Sequence, residues 1–134
     1  MTTATQPDAY IPGVCNINHQ EVAKRRRLGY IGTAAFIVLL ALLLAIGANR
    51  YIRLVLFFPA SLAISGFLQA RNKFCVGFAA AGQQNAAEGS EQASAITDSA
   101  ALAFDKARAR KMNLQTALYA VIVTLLTLVI PVQN

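Results

Sequence analysis

Cys15 and His19 stand four residues apart in the run CNINH, and Cys75 follows much further along; they are the two thiols and the single imidazole of the chain. On a helix, that spacing puts Cys15 and His19 one turn apart on a shared face. Two thiolates and an imidazole are soft or borderline donors, suited to zinc or to another metal centre with an open position. Structural zinc sites carry a paired CxxC or HxxxH on each side. Here one partner is a single cysteine in an alanine-rich stretch, so the bland alternative is a buried Cys75 between Phe74 and Val76 and a solvated His19. No cofactor is expected on the latter reading, and zinc or another metal at Cys15, His19 and Cys75 on the former. With one His and two Cys as the whole reactive inventory, and no phosphate-cradling glycine loop or metalloprotease motif, the expectation is a protein that is not an enzyme.

The elements that carry these residues are apolar blocks. Hydrophobic residues make up 56% of the 134, charged ones 13%, and the mean hydropathy is +0.48. Stretches 28–48, 54–70 and 114–132 contain no Asp, Glu, Lys, Arg or His. At roughly 1.5 Å per residue the first reaches about 30 Å, the thickness of a hydrocarbon core. It exceeds the roughly 7–15 residues of a signal-peptide core, and no small-residue cleavage site closes it before Arg50. The second is near the short end of the spanning range, with Arg53 and Arg71 placed to snorkel to the interfaces. The expected fold is an all-α membrane protein with three transmembrane helices, the first two a tight hairpin, and an amphipathic cytoplasmic helix leading into the third.

Charge sets the orientation. Lys24, Arg25, Arg26 and Arg27 precede the first span; Arg71, Lys73, Lys106, Arg108, Arg110 and Lys111 lie between the second and third; only Arg50 and Arg53 lie between the first and second. Cytoplasmic loops carry the excess of Lys and Arg, so the N-terminus and the long loop are expected in the cytoplasm and the C-terminus outside a plasma (inner) membrane. Lys24, Arg25, Arg26, Arg27, Lys106, Arg108, Arg110 and Lys111 therefore read as topology determinants or contacts for anionic lipid headgroups. They cluster at span ends without interleaved aromatics, so no nucleic-acid partner is expected.

Four segments follow. Residues 1–20 read as an irregular cytoplasmic tail. Residues 21–70 hold a basic interfacial turn and the hairpin, with a kink expected near Pro59. Residues 71–113 form a cytoplasmic loop with a helix over 91–112, capped by Ser90. Residues 114–134 hold the third span and a short tail. In span two, Ser61 and Ser65, and Gly66 and Ala70, are pairs four apart, the small-xxx-small spacing that lets another helix approach closely.

Gly66-Phe67-Leu68-Gln69-Ala70, Phe74-Cys75, Gly82 and Asn85, together with Cys15 and a basic cluster before the first span, resemble a pattern in small uncharacterised bacterial multi-span membrane proteins. The resemblance implies a bacterial origin and no particular activity; joint recurrence of Cys15 and Cys75 would favour metal or redox chemistry. No span carries an ionisable residue, the usual mark of a proton relay or ion pathway. The leading expectation is thus a non-catalytic subunit that packs against other membrane protein subunits of an energy-converting or transport complex. A metal- or redox-responsive protein using Cys15, His19 and Cys75 is the alternative, and a holin-like self-associating pore the second.

Overall fold

The computed structural model describes residues 10–131; residues 1–9 of the expected tail, and 132–134 at the end of the expected third span, lie outside it. Helix α1 spans His19–Ala45, a 3-10 helix covers Arg50–Leu56, and α2 (Phe57–Asn72), α3 (Val76–Ala81) and α4 (Ser99–Thr127) follow, with two-residue strands β1 (Gln83–Gln84) and β2 (Ser94–Ala95) paired antiparallel before α4. The chain is thus mostly helical.

Helix α1 starts where Asn18, in extended backbone, accepts the Glu21 amide on its side chain, and it ends at a turn through Gly47, whose φ of 66° favours glycine. Beyond that turn Asn49 caps the 3-10 helix by accepting from the Tyr51 amide. The helix type changes at Phe57, two residues before Pro59, which falls in the first turn of α2. α1 and α2 form the expected antiparallel hairpin, and α2 also packs on α4.

Glycine sets the closeness of the hairpin. A Cβ built on Gly32 would strike the backbone N of Ala63, and its Cα at 2.8 Å. One built on Gly66 would lie 2.7 Å from the carbonyl oxygen of Arg25 and 2.8 Å from the Cα of Gly29. Of the small residues singled out in span two, Gly66 and Ala70 are buried, joined by Ala60 and Ala63 on the same face. Ser65 instead accepts from Gln69 Nε2 at 2.8 Å, and the Ser61 hydroxyl is buried without a hydrogen-bond partner. The close-approach face of α2 is therefore occupied by α1.

Two expectations need correction. The loop helix does not start at residue 91 under a Ser90 cap: Ser90 Oγ donates to the Gln92 carbonyl, the β hairpin takes residues 83–95, and α4 starts at Ser99 under an Asp98 cap. From there it runs without a break into the apolar stretch. Arg53, expected to snorkel, is 1% exposed, and its Nη1 donates to the carbonyls of Thr127 at 2.6 Å and Ile130 at 2.7 Å. It adds a charge-assisted donor to the Thr127 carbonyl, which also accepts the Ile130 amide, and bonds the Ile130 carbonyl just past α4, at the negative end of the helix dipole, where a cation is favoured.

The glycine contacts generate a test. Gly66→Ala and Gly32→Ala should each lower stability by about 1–3 kcal/mol, the usual cost of overpacking. Gly77→Ala, whose Cβ would meet only Cys75 Sγ at 3.7 Å, should be neutral or mildly stabilising. Thermal unfolding of the detergent-solubilised variants measures both.

Candidate functional site: an asparagine-bridged cap around Cys75

Helix α2 stops at Lys73, which adopts a left-handed backbone (φ 52°), and Phe74 and Cys75 then run extended into α3. Cys75 is the N-cap of α3, its carbonyl accepting the Ala79 amide at 3.1 Å, and the Asn16 side chain takes up the rest of its backbone bonding. Asn16 Oδ1 accepts the Cys75 amide at 2.6 Å, and Asn16 Nδ2 donates to the Cys75 carbonyl at 3.1 Å. One amide side chain thereby stands in for a neighbouring strand. The Asn16 backbone is held as well, its N–H donating to the Lys73 carbonyl and its carbonyl accepting from the Asn85 amide at 2.8 Å.

Two further asparagines complete the cap. The Asn18 amide donates to the Asn85 carbonyl at 2.8 Å, and Ile17 bridges Asn85 in parallel fashion. Asn18 Oδ1 caps α1 while its Nδ2 donates to the carbonyls of Ala87 and Ser90. Asn85 Nδ2 also donates to Ser90, and Asn85 Oδ1 is buried with no partner. Gln69 joins from α2, its Oε1 accepting the Val76 amide at 3.0 Å. Asn16, Ile17 and Asn18 are fully buried. Hence residues 10–18, expected within an irregular tail, are an integral layer of the fold.

The reactive residues are distributed so that they do not converge. Cys75 Sγ lies 3.0 Å from Arg25 Nη2; the same guanidinium meets Glu21 at 3.3 Å and covers the Phe78 ring at 5.7 Å. Cys15, also buried, directs its thiol at the Ile17 carbonyl, and no disulfide joins it to Cys75. His19 faces outward, its Nδ1 3.1 Å from the Glu88 carboxylate. Among the described residues no three His, Cys, Asp or Glu side chains gather to hold a metal ion. The donor set Cys15, His19 and Cys75 therefore does not fit a zinc centre, because the imidazole is on the surface and the thiols point into the interior.

The basic clusters also divide. Arg25 is turned inward, Lys24 pairs with Glu21 at 3.0 Å, and Arg26 and Arg27 are exposed. Arg108 Nη2 donates to Asn72 Oδ1 at 2.7 Å, tying α4 to the end of α2, whereas Lys106, Arg110 and Lys111 are exposed. Between the clusters lies a carboxylate that sequence reading missed: Asp105, fully buried, accepts from Tyr10 Oη at 2.8 Å and from the Gly13 amide at 2.7 Å. Burial, then the hydrogen bond and charge of Asp105, raise the Tyr10 phenol well above its ordinary value. These groups bind segments together and present no nucleophile with a base beside it.

Asn16, Asn18 and Asn85 also escaped sequence reading as a set. One local signal was present, the spacing from Asn18 to Glu21 that marks a capping box. Compared with protein-family models, curated proteins and solved structures, the chain matches none.

Asn16→Ala should cost about 2–3 kcal/mol in thermal or denaturant unfolding, since it leaves two backbone groups of Cys75 buried with fewer partners. His19→Ala, at an exposed pair, should change stability by less than about 0.5 kcal/mol. The raised Tyr10 pKa has a pH signature. Above pH 10.0, the ordinary value, an unfolded Tyr10 releases its proton while the folded one keeps it, so stability falls as pH rises from there. Tyr10→Phe should flatten that part of the stability profile relative to the unmodified protein.

Proposed function

We propose that the protein is a non-catalytic integral membrane subunit of a bacterial inner membrane that packs against larger partners, such as an energy-converting or transport complex, and supports their assembly. The observation that carries this reading is exposed apolar surface. Two helical segments, His19–Ala45 and Arg50–Asn72, are long and apolar enough to cross a membrane, yet only 17% and 22% of their most apolar windows are buried within the protein. Ile37, Leu42 and Phe58 are each more than half exposed. Water does not stabilise a continuous surface of that kind, whereas acyl chains or partner helices do.

A third crossing by α4 is part of the proposal. Its charge-free helical portion, 114–127, is 14 residues, about 21 Å long, and the chain stays uncharged through Pro131. The burial of Arg53 against the end of α4 supports a shared membrane edge for the two. It also leaves Arg50 as the one exposed cation of the short loop, in keeping with a cytoplasmic N-terminus and an external C-terminus. Since α1 already covers the small-residue face of α2, partners are expected on the exposed faces of α1 and α4.

Extraction in mild detergent followed by sizing tests the subunit reading: co-purifying subunits are expected, and a lone monomer contradicts it. Orientation needs new thiols, because Cys15 and Cys75 are 4% and 5% exposed and would resist labelling on either side. With an impermeant thiol reagent on intact cells, Tyr51→Cys should label and Gln92→Cys should not. The reverse pattern shows an inverted protein.

A further inference from the structure

We infer that the groove between α3 and α4 is a binding site for the headgroup of an anionic phospholipid. The groove, of about 260 Å³, is lined by Val76 and Ala80 of α3 and by Lys106, Ala109, Arg110 and Asn113 of α4. Lys106 and Arg110 are one helical turn apart, so both project over it. Ala109 is buried beneath them, and Val76 and Ala80 form an apolar wall.

Three observations select an anion of lipid origin. First, among the described residues neither cation is in an ion pair within 4 Å. The one carboxylate beside them in sequence, Asp105, is buried against Tyr10 and Gly13, and Arg108 is committed to Asn72. Second, the site combines a guanidinium fork and an ammonium, which suit phosphate oxygens, with the Asn113 amide, which can bond a glycerol hydroxyl or ester oxygen. Third, Asn113 is directly followed by the uncharged stretch from Leu114. Measured along α4 from Leu114, Arg110 lies about 6 Å and Lys106 about 12 Å back. A headgroup layer is about 5–7 Å thick. Arg110 thus stands at the outer edge of that layer and Lys106 about one turn beyond it, so both meet a headgroup from its aqueous side, while Val76 and Ala80 wall the groove beside them. This inference rests on the proposed placement of α4 in a membrane and adds a ligand to it.

The test uses the full-length protein in maltoside detergent, with thermal unfolding followed as phosphatidylglycerol, phosphatidylcholine or inorganic phosphate is added. Phosphatidylglycerol should raise the unfolding temperature saturably, and the other two should not. Lys106→Gln with Arg110→Gln should weaken the apparent affinity roughly thirtyfold, the equivalent of about 1 kcal/mol for each basic residue near the surface. Ala80→Phe, which fills the groove at an exposed position and keeps both charges, should weaken it similarly. Lys24→Gln with Arg26→Gln removes the same charge elsewhere and should have less than a threefold effect. Equal loss in both double variants, an equal response to phosphatidylcholine, or a full response to phosphate alone overturns the inference. Carbonate washing of the host membranes separates this failure from that of the proposed function: protein released by the wash is not integral, whereas retained protein without the lipid preference loses only the groove.

Discussion

Everything in the structure is anchored on the absence of side chains where α1 meets α2. With Gly32 against the backbone of Ala63, and Gly66 against Gly29 and the Arg25 carbonyl, the two helices touch main chain to main chain. Such main-chain approach brings many atoms within van der Waals distance, the interaction on which glycine-faced helix pairs rely. The contact also sets the register at both ends. Arg25 lies beside the end of α2, which is why its guanidinium reaches Cys75 just beyond that end.

At one end of the bundle the unpaired backbone is satisfied by side chains from far away in sequence. Asn16 completes the bonding of Cys75, Asn18 serves the start of α1 and the 87–90 turn, and Asn85 joins them. At the other end Arg53 joins the carbonyls of Thr127 and Ile130, at and just past the end of α4. Buried polar groups are costly unless bonded, and both ends meet most of that demand with a few residues that each serve more than one partner, leaving Asn85 Oδ1 at one end and Arg53 Nε at the other without one. Thr124 and Thr127 follow the same rule within α4, returning their hydroxyls to the carbonyls of Ala120 and Thr124.

How much of this is visible in the chain itself depends on range. The two long apolar helices and the tight turn between them are legible, because uninterrupted apolar stretches and Gly47-Ala48-Asn49 are local signals. Gly66 is legible from its spacing with Ala70, but its partners Gly29 and Gly32 are not, since only the antiparallel pairing selects them. The start of the loop helix is not legible, because Ser90 and the acids after it make a credible cap locally. The pairing of Gln83 and Gln84 with Ala95 and Ser94 outcompetes it, aided by Gly82 and Gly89 in left-handed conformations. The three-residue set Cys15, His19 and Cys75 looked like chemistry because its types are rare in this chain. It disperses because the thiols lie within the cap and the imidazole pairs with Glu88 on its surface. Basic residues that read as a single class divide into Arg25, Arg53 and Arg108, which bind protein, and Lys106 and Arg110, which face a groove.

Residues 10–18 and 74–96 form one cap bonded to the end of the α1–α2 hairpin. Amide hydrogen exchange on the detergent-solubilised protein tests it most directly. The amides of Cys75, Asn85, Asn18 and Ile96, which donate to Asn16, Asn16, Asn85 and Gly82, should be protected to the same degree as those of α2 at Ala63 and Gly66. Exchange of these four at the rate of unstructured chain, with α1 and α2 still protected, would contradict it.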